Sequence, residues 1–131
     1  MNKTGARELV RRFVSKKLPE FEWYGQTLEH LKAIIFYGSR ARETNRPDSD
    51  VDILFIMPLE IEKKFTKGEY SYDFQGYEIN IVIRSIERLR QIAHERHDPF
   101  QSEVFRCSEV IWDKDHEVSE LIEKIVQGND D

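Results

Sequence analysis

Two short stretches of this 131-residue chain carry residues suited to phosphate and cation chemistry: Phe36-Tyr37-Gly38-Ser39 and, after a gap of ten residues, Asp50-Val51-Asp52-Ile53. A strand ending in Gly-Ser bends the backbone with no Cβ at the bend, so a phosphate can approach the N–H groups closely. The Ser39 hydroxyl adds a donor, and a helix begun at Arg40 would add positive potential at its N-terminus. Asp50 and Asp52, two positions apart on a strand, project from one face with Cα atoms about 7 Å apart. Mg²⁺ takes one or two carboxylates and completes its shell with phosphate oxygens and water. Two such ions, about 3.5–4 Å apart, stabilise both the attacking and leaving oxygens of an in-line displacement. Each motif alone is unspecific, since Gly-Ser after a strand is common and Asp-x-Asp is often a solvated strand end. The order and the gap together are much more specific.

These residues need elements to hold them. Residues 32–37 are β-branched and aromatic and read as a buried strand, broken at Gly38-Ser39. A turn of helix over 40–44 and a loop over 45–49 follow, and a second strand runs over 50–57 until Pro58 closes it. Residues 60–84 read as a β-meander with tight turns at Lys67-Gly68 and Gln75-Gly76. Its last strand alternates, with Tyr77, Ile79, Ile81 and Ile83 on one face and Glu78, Asn80, Val82 and Arg84 on the other.

Helices flank these strands. Leu9, Val10, Phe13 and Val14 make one buried stripe over 4–17. Ser85 caps a helix to about His97, Asp98-Pro99 opens another to about Arg106, and 110–112 is a short strand. A last helix runs from Asp115 or His116 through Val126, with Gly128 as its C′ residue. Strands and helices are mixed, which makes the class α/β (α+β) in a single domain of 1–131.

Composition narrows the function. No apolar run is long enough to span a membrane, and the N-terminus shows no signal core, so secretion is not expected. Cys107 is the one cysteine, which rules out an internal disulfide and suits a cytoplasmic location. The net charge of −5 argues against general nucleic-acid binding. Arg7, Arg11, Arg12, Lys16 and Lys17 crowd the first helix, and the plain reading is a solvated face. The four histidines lack metal-site spacing, and Trp23 and Tyr24 read as packing residues before base-stacking ones.

The Gly38-Ser39 and Asp50-Val51-Asp52-Ile53 pair resembles the signature of the polymerase β-like nucleotidyltransferase superfamily, in the wording of its stand-alone minimal nucleotidyltransferases. Phe36-Tyr37-Gly38-Ser39-Arg40-Ala41-Arg42, Ser49-Asp50-Val51-Asp52, and the tail through Ile81 to Arg84 and Val110 to Asp113 carry the likeness, over roughly residues 30–115. The resemblance implies a small mixed β-sheet flanked by helices. It implies transfer of a nucleoside monophosphate, AMP from ATP, to an acceptor hydroxyl, with two Mg²⁺ ions for which Mn²⁺ substitutes. Gly38 and Ser39 would hold the triphosphate and Asp50 and Asp52 the metals. Arg40 and Arg42 would contact phosphate or be ordinary surface arginines. It leaves the acceptor open between a protein side chain, with a HEPN-domain toxin as partner in an antitoxin role, and a small molecule, as in the antibiotic nucleotidyltransferases; homo-oligomers are open too.

One departure bears on activity. Asn80 stands in Ile79-Asn80-Ile81, where active members often place a third acid. Asn80 can bind a metal through its carbonyl oxygen and counts among the expected nucleotide-binding residues, but it carries no charge and takes no proton. Glu78, on the same face, would serve as third ligand or as base for the acceptor hydroxyl, or is a solvated strand residue. The alternative reading is a weakly active or inactive nucleotide-binding module that neutralises a partner.

Overall fold

A computed structural model of the chain describes residues 1–21, 28–65, 69–95 and 99–127. Helix α1 (Lys3–Lys16) leads into strand β1 (Ala33–Tyr37), helical turn α2 (Ser39–Arg42), strand β2 (Val51–Met57) and helical turn α3 (Leu59–Glu62). Strands β3 (Glu69–Phe74) and β4 (Tyr77–Ser85) follow, then helices α4 (Ile86–His94) and α5 (Pro99–Arg106), strand β5 (Glu109–Asp113) and helix α6 (Glu117–Gln127). The sheet has five strands in the order β3-β4-β2-β1-β5.

The period-two pattern sorts the sheet into two faces. On the first, Ile34 and Phe36 of β1, Val51, Ile53 and Phe55 of β2 and Ile79, Ile81 and Ile83 of β4 pack against Ala6, Leu9, Val10 and Phe13 of α1. Asn2 caps that helix, its side chain accepting from the Gly5 N–H at 2.9 Å. On the second face, Ala33, Ile35, Leu54, Ile56 and Val82 pack against α4, α5 and α6 through Leu89, Phe105, Val118, Leu121 and Ile122. Leu54 and Ile56 are the continuation of the row that begins with Asp50 and Asp52. The acids therefore lie at the end of the second face that the helices leave open.

The β-meander expected over 60–84 is corrected. Leu59–Glu62 is a helical turn, seated on Pro58, whose backbone caps it, and held by Glu87, which accepts from the Leu59 N–H at 3.0 Å. Only β3 and β4 form a hairpin, and β4 then pairs with β2 in parallel. The Gln75-Gly76 turn is as expected, with both residues at positive φ (50° and 84°), the form that matches strand twist. The helix expected to reach His97 ends at His94. Expectations at Trp23, Tyr24, Lys67-Gly68, His97, Asp98 and Gly128 fall outside the described residues.

The basic residues of α1 are mostly engaged locally. Arg7 pairs with Glu109, Arg11 with Glu8 at 3.1 Å, and Arg12 donates to Gln75 at 3.1 Å.

Candidate functional site

The parallel β2–β4 register decides which side chains meet. Asp52 stands opposite Asn80, and Val51 opposite Ile79, so Asp50 falls opposite Glu78. All four side chains lie on the open end of the second face. On the other side of Asp52 is β1, where Tyr37 is its direct partner.

Gly38 follows Tyr37 with φ 85°, a conformation that L-residues avoid. A Cβ placed on it would fall 2.1 Å from Oδ2 of Asp52. The bend is thus pressed against that carboxylate, and only glycine fits there. Beyond it, Ser39 opens α2, and the Ser39 and Arg40 N–H groups have no acceptor within the helix. The turn is four residues long, so those donors, and not a long helix dipole, are what it offers a phosphate.

The two arginines part company. Arg40 is 3% exposed. Its Nε donates to the Ser49 carbonyl at 3.0 Å and its Nη2 to the Pro47 carbonyl at 3.2 Å, with Nη1 3.5 Å from the Met1 carbonyl. Its guanidinium also lies over the Tyr77 ring, 5.5 Å from the centroid. The expected phosphate contact by Arg40 thus gives way to a different task. Its donors are aimed into the chain because they bind the loop that carries Asp50. Arg40→Met should lower stability by about 2–3 kcal/mol, read by urea unfolding, since the loop carbonyls lose the charged donors of a buried guanidinium. Arg42 is half-exposed, and its charge acts on Asp52.

The electrostatics of the cluster favour a cation. Burial pushes the Asp52 carboxyl above the usual carboxylate range. The Asn80 hydrogen bond and Arg42 oppose this, and the Asp50 charge adds to it. Glu78 is raised too, first by a hydrogen bond shared with Asp50 and then by the Asp50 charge. Burial is the main cause at Asp52 and the hydrogen bond to Asp50 at Glu78; the Asp50 charge adds to both, and a divalent ion relieves that part. Among the described residues no three acidic, histidine or cysteine side chains are gathered closely enough to hold an ion alone. Two carboxylates completed by phosphate oxygens and water are the set Mg²⁺ takes, and Asp50 and Asp52 fit it.

These shifts set a sign. Raised folded-state values mean that Asp52 and Glu78 favour the fold most below the ordinary carboxylate range. That contribution is lost as pH rises through their folded values. Divalent binding should run the other way, strengthening over the same window as protons leave. In Asp50→Asn, Glu78 should titrate back toward the ordinary glutamate range, read by carboxyl-carbon NMR. An unmoved Glu78 would disprove the Asp50 contact.

Asn80 is committed to its neighbours. Its Nδ2 is 3.5 Å from Oδ1 of Asp52, and its Oδ1 accepts from the Ser71 hydroxyl at 3.3 Å. Asn80 orients Asp52 by this contact and adds no charge. Sequence reasoning missed Tyr37, Ser71 and Arg84. Tyr37 is pushed up to about 12, first by burial and then by Asp52, with Arg84 opposing. It remains a neutral donor beside the acids. Its place directly before the Gly38 bend was the available signal.

The sequence profile described as Polymerase beta, Nucleotidyltransferase matches residues 22–117. The chain belongs to this nucleotidyltransferase family. The matched span of the nucleotidyltransferase domain contains the bend, both aspartates and the Glu78–Asn80 strand. A crystal structure of a nucleotidyltransferase-like protein from Exiguobacterium sibiricum 255-15 shares the fold, with a TM-score of 0.60 at 11% identity. The similarity covers 92% of this nucleotidyltransferase chain and 38% of that one, so the chain spans well under half of that protein's length. A comparison with curated proteins gives no match. Among the described residues no helix is long and apolar enough to cross a membrane.

Proposed function

We propose that the domain is a Mg²⁺-dependent nucleotidyltransferase that moves AMP from ATP to an acceptor hydroxyl. The observation that carries this reading is the Gly38 bend seated against the Asp52 carboxylate, with Asp50 beside it on the same face. Backbone N–H groups at Ser39 and Arg40 and the Ser39 hydroxyl bind the phosphate tail. Arg42 balances charge next to Asp52. Asp50 and Asp52 hold Mg²⁺, which when bound neutralises the phosphate oxygens and favours departure of pyrophosphate.

The chemistry then rests on positioning and electrostatics. The acceptor oxygen forms a bond to the α-phosphorus, the bond to the bridging oxygen of pyrophosphate breaks, and the acceptor proton leaves. Glu78 is exposed, faces Asp50 and has raised proton affinity, so it is the group to receive that proton. Asn80 keeps the Asp52 carboxylate oriented.

For the acceptor we propose a hydroxyl of a partner protein, with a HEPN-domain toxin as the partner and the cytoplasm as the compartment, on the strength of the resemblance to minimal nucleotidyltransferases. ATP labelled at the α-phosphate, incubated with Mg²⁺, the domain and a co-expressed HEPN protein, should label that protein. Label on neither partner nor any small molecule, with no pyrophosphate released, would refute the enzyme. A second reading, a nucleotide-binding module that neutralises its partner without transfer, is favoured by Asn80, which supplies no third charge. It predicts complex formation and toxin neutralisation that survive Asp50→Asn with Asp52→Asn.

A further inference from the structure

The row that starts with Asp50 and Asp52 runs on into a pocket of about 280 Å³. Leu54, Ile56 and Val82 form its floor, and α4 and α5 close it through Leu89, Val104 and Phe105. Tyr37 is shared between the two places. It is the cross-strand partner of Asp52 and also lines the pocket. Leu54 follows Asp52 on the same face, about 7 Å further along the strand, the kind of span a ribose bridges between a phosphate and its base.

The lining identifies the ligand's chemistry. The floor is apolar, whereas Arg84, Arg88 and Gln101 stand among the residues around it. Neither arginine is paired with a carboxylate among the described residues, and the Arg84 guanidinium donates to the Ile83 carbonyl at 2.8 Å. An apolar slot with unpaired guanidinium groups suits a flat ring attached to an anion. Pockets for whole drug-sized ligands run from about 300 Å³ upward. At about 280 Å³ this one lies at the lower edge of that range, room for a ring and a sugar and not for a whole nucleoside triphosphate.

We propose that this pocket seats the nucleoside of the triphosphate, its base on Leu54, Val82 and Phe105 and its phosphates reaching past Tyr37 to the Gly38 bend. The proposal deepens the nucleotidyltransferase reading and rests on it. Arg84 then faces the junction of ribose and α-phosphate, and Gln101 and Arg88 face the ring edge and set base preference.

The test compares two probes on the intact chain by isothermal titration with Mg²⁺: an α,β-methylene analogue of ATP, which does not turn over, and inorganic tripolyphosphate, which has no nucleoside. The analogue should bind at least about tenfold more tightly. Val104→Trp and Gln101→Trp, two independent ways of filling the slot from α5, should reduce analogue affinity to that of tripolyphosphate. Both should leave tripolyphosphate binding unchanged, with folding checked by circular dichroism. Equal affinity for the two probes in the unaltered chain overturns the pocket, as does analogue binding indifferent to a folded tryptophan variant; in both cases tripolyphosphate binding preserves the phosphate site. If only the analogue binds and the variants abolish it, the pocket stands and the phosphate cradle falls. If neither probe binds, both fall.

Discussion

Asp52→Asn is expected to lower nucleotidyl transfer by about 10²–10³-fold, the loss typical when one preorganised charge-stabilising group is removed, while the melting temperature holds or rises. The two halves of this result have one cause. Asp52 is partly withdrawn from water, and its carboxyl is raised because burial disfavours the ionised form. Its folded value lies above its unfolded one, so at neutral pH the ionised group weakens the fold. Asparagine has nearly the same shape and removes that burden. It also removes the charge with which Asp52 would hold a cation in the proposed reaction. Labelled ATP with Mg²⁺ gives the activity, and a thermal melt at neutral pH gives the stability. Undiminished transfer would remove Asp52 from the machinery. A large fall in melting temperature would show that the carboxylate serves the fold and not the chemistry.

Gly38→Ala should damage both fold and site, and Gly76→Ala separates the contributions. Both glycines have nearly the same φ, 85° and 84°, and Gly38 adds a ψ of −165°, a region almost confined to glycine. Around Gly76 a Cβ meets nothing within 4 Å, whereas at Gly38 it collides with the Asp52 carboxylate at 2.1 Å. Gly76→Ala therefore carries only the backbone term, about 1 kcal/mol at the lower end of the range for such conformations. Gly38→Ala adds displacement of Asp52 or of β1, for a total of about 3 kcal/mol or more. Urea unfolding of both variants gives the difference. Mn²⁺ binding followed by electron paramagnetic resonance should be lost in Gly38→Ala and kept in Gly76→Ala. Equal destabilisation by the two changes would mean that the bend and the carboxylate are not in contact.

What the sequence made legible was local. Gly38-Ser39 and the Asp50/Asp52 pair could be read because a bend and a two-residue strand period need no partner to define them. The Gln75-Gly76 turn and the inward row of Tyr77, Ile79, Ile81 and Ile83 follow from the same short-range rules. What was not legible depended on pairing across the sheet. A run of strand-like segments separated by turn residues suggested a meander. Parallel β2–β4 pairing is a long-range outcome, with partners 28 positions apart, Asp52 to Asn80. Only that register puts Glu78 beside Asp50 and gives Ser71 and Asn80 a link to Asp52. Arg40 was hidden for a similar reason. Two arginines bracketing an alanine look alike in sequence, and one is buried because the loop over 43–50 folds back across it. Tyr37 was legible as a strand residue, while its role beside Asp52 needed the antiparallel partner strand.

The parallel crossover also has a consequence in time. While the chain is being synthesised, Asp50 and Asp52 emerge well before β4, and until β4 docks they sit on a strand paired on one side only, with β1. Parallel pairing closes a long loop before any gain is realised, so it forms late. Completion of the sheet and completion of the acidic cluster thus become one event. A β4-truncated chain would lack both Glu78 and the Asn80 amide that lies against the Asp52 carboxylate.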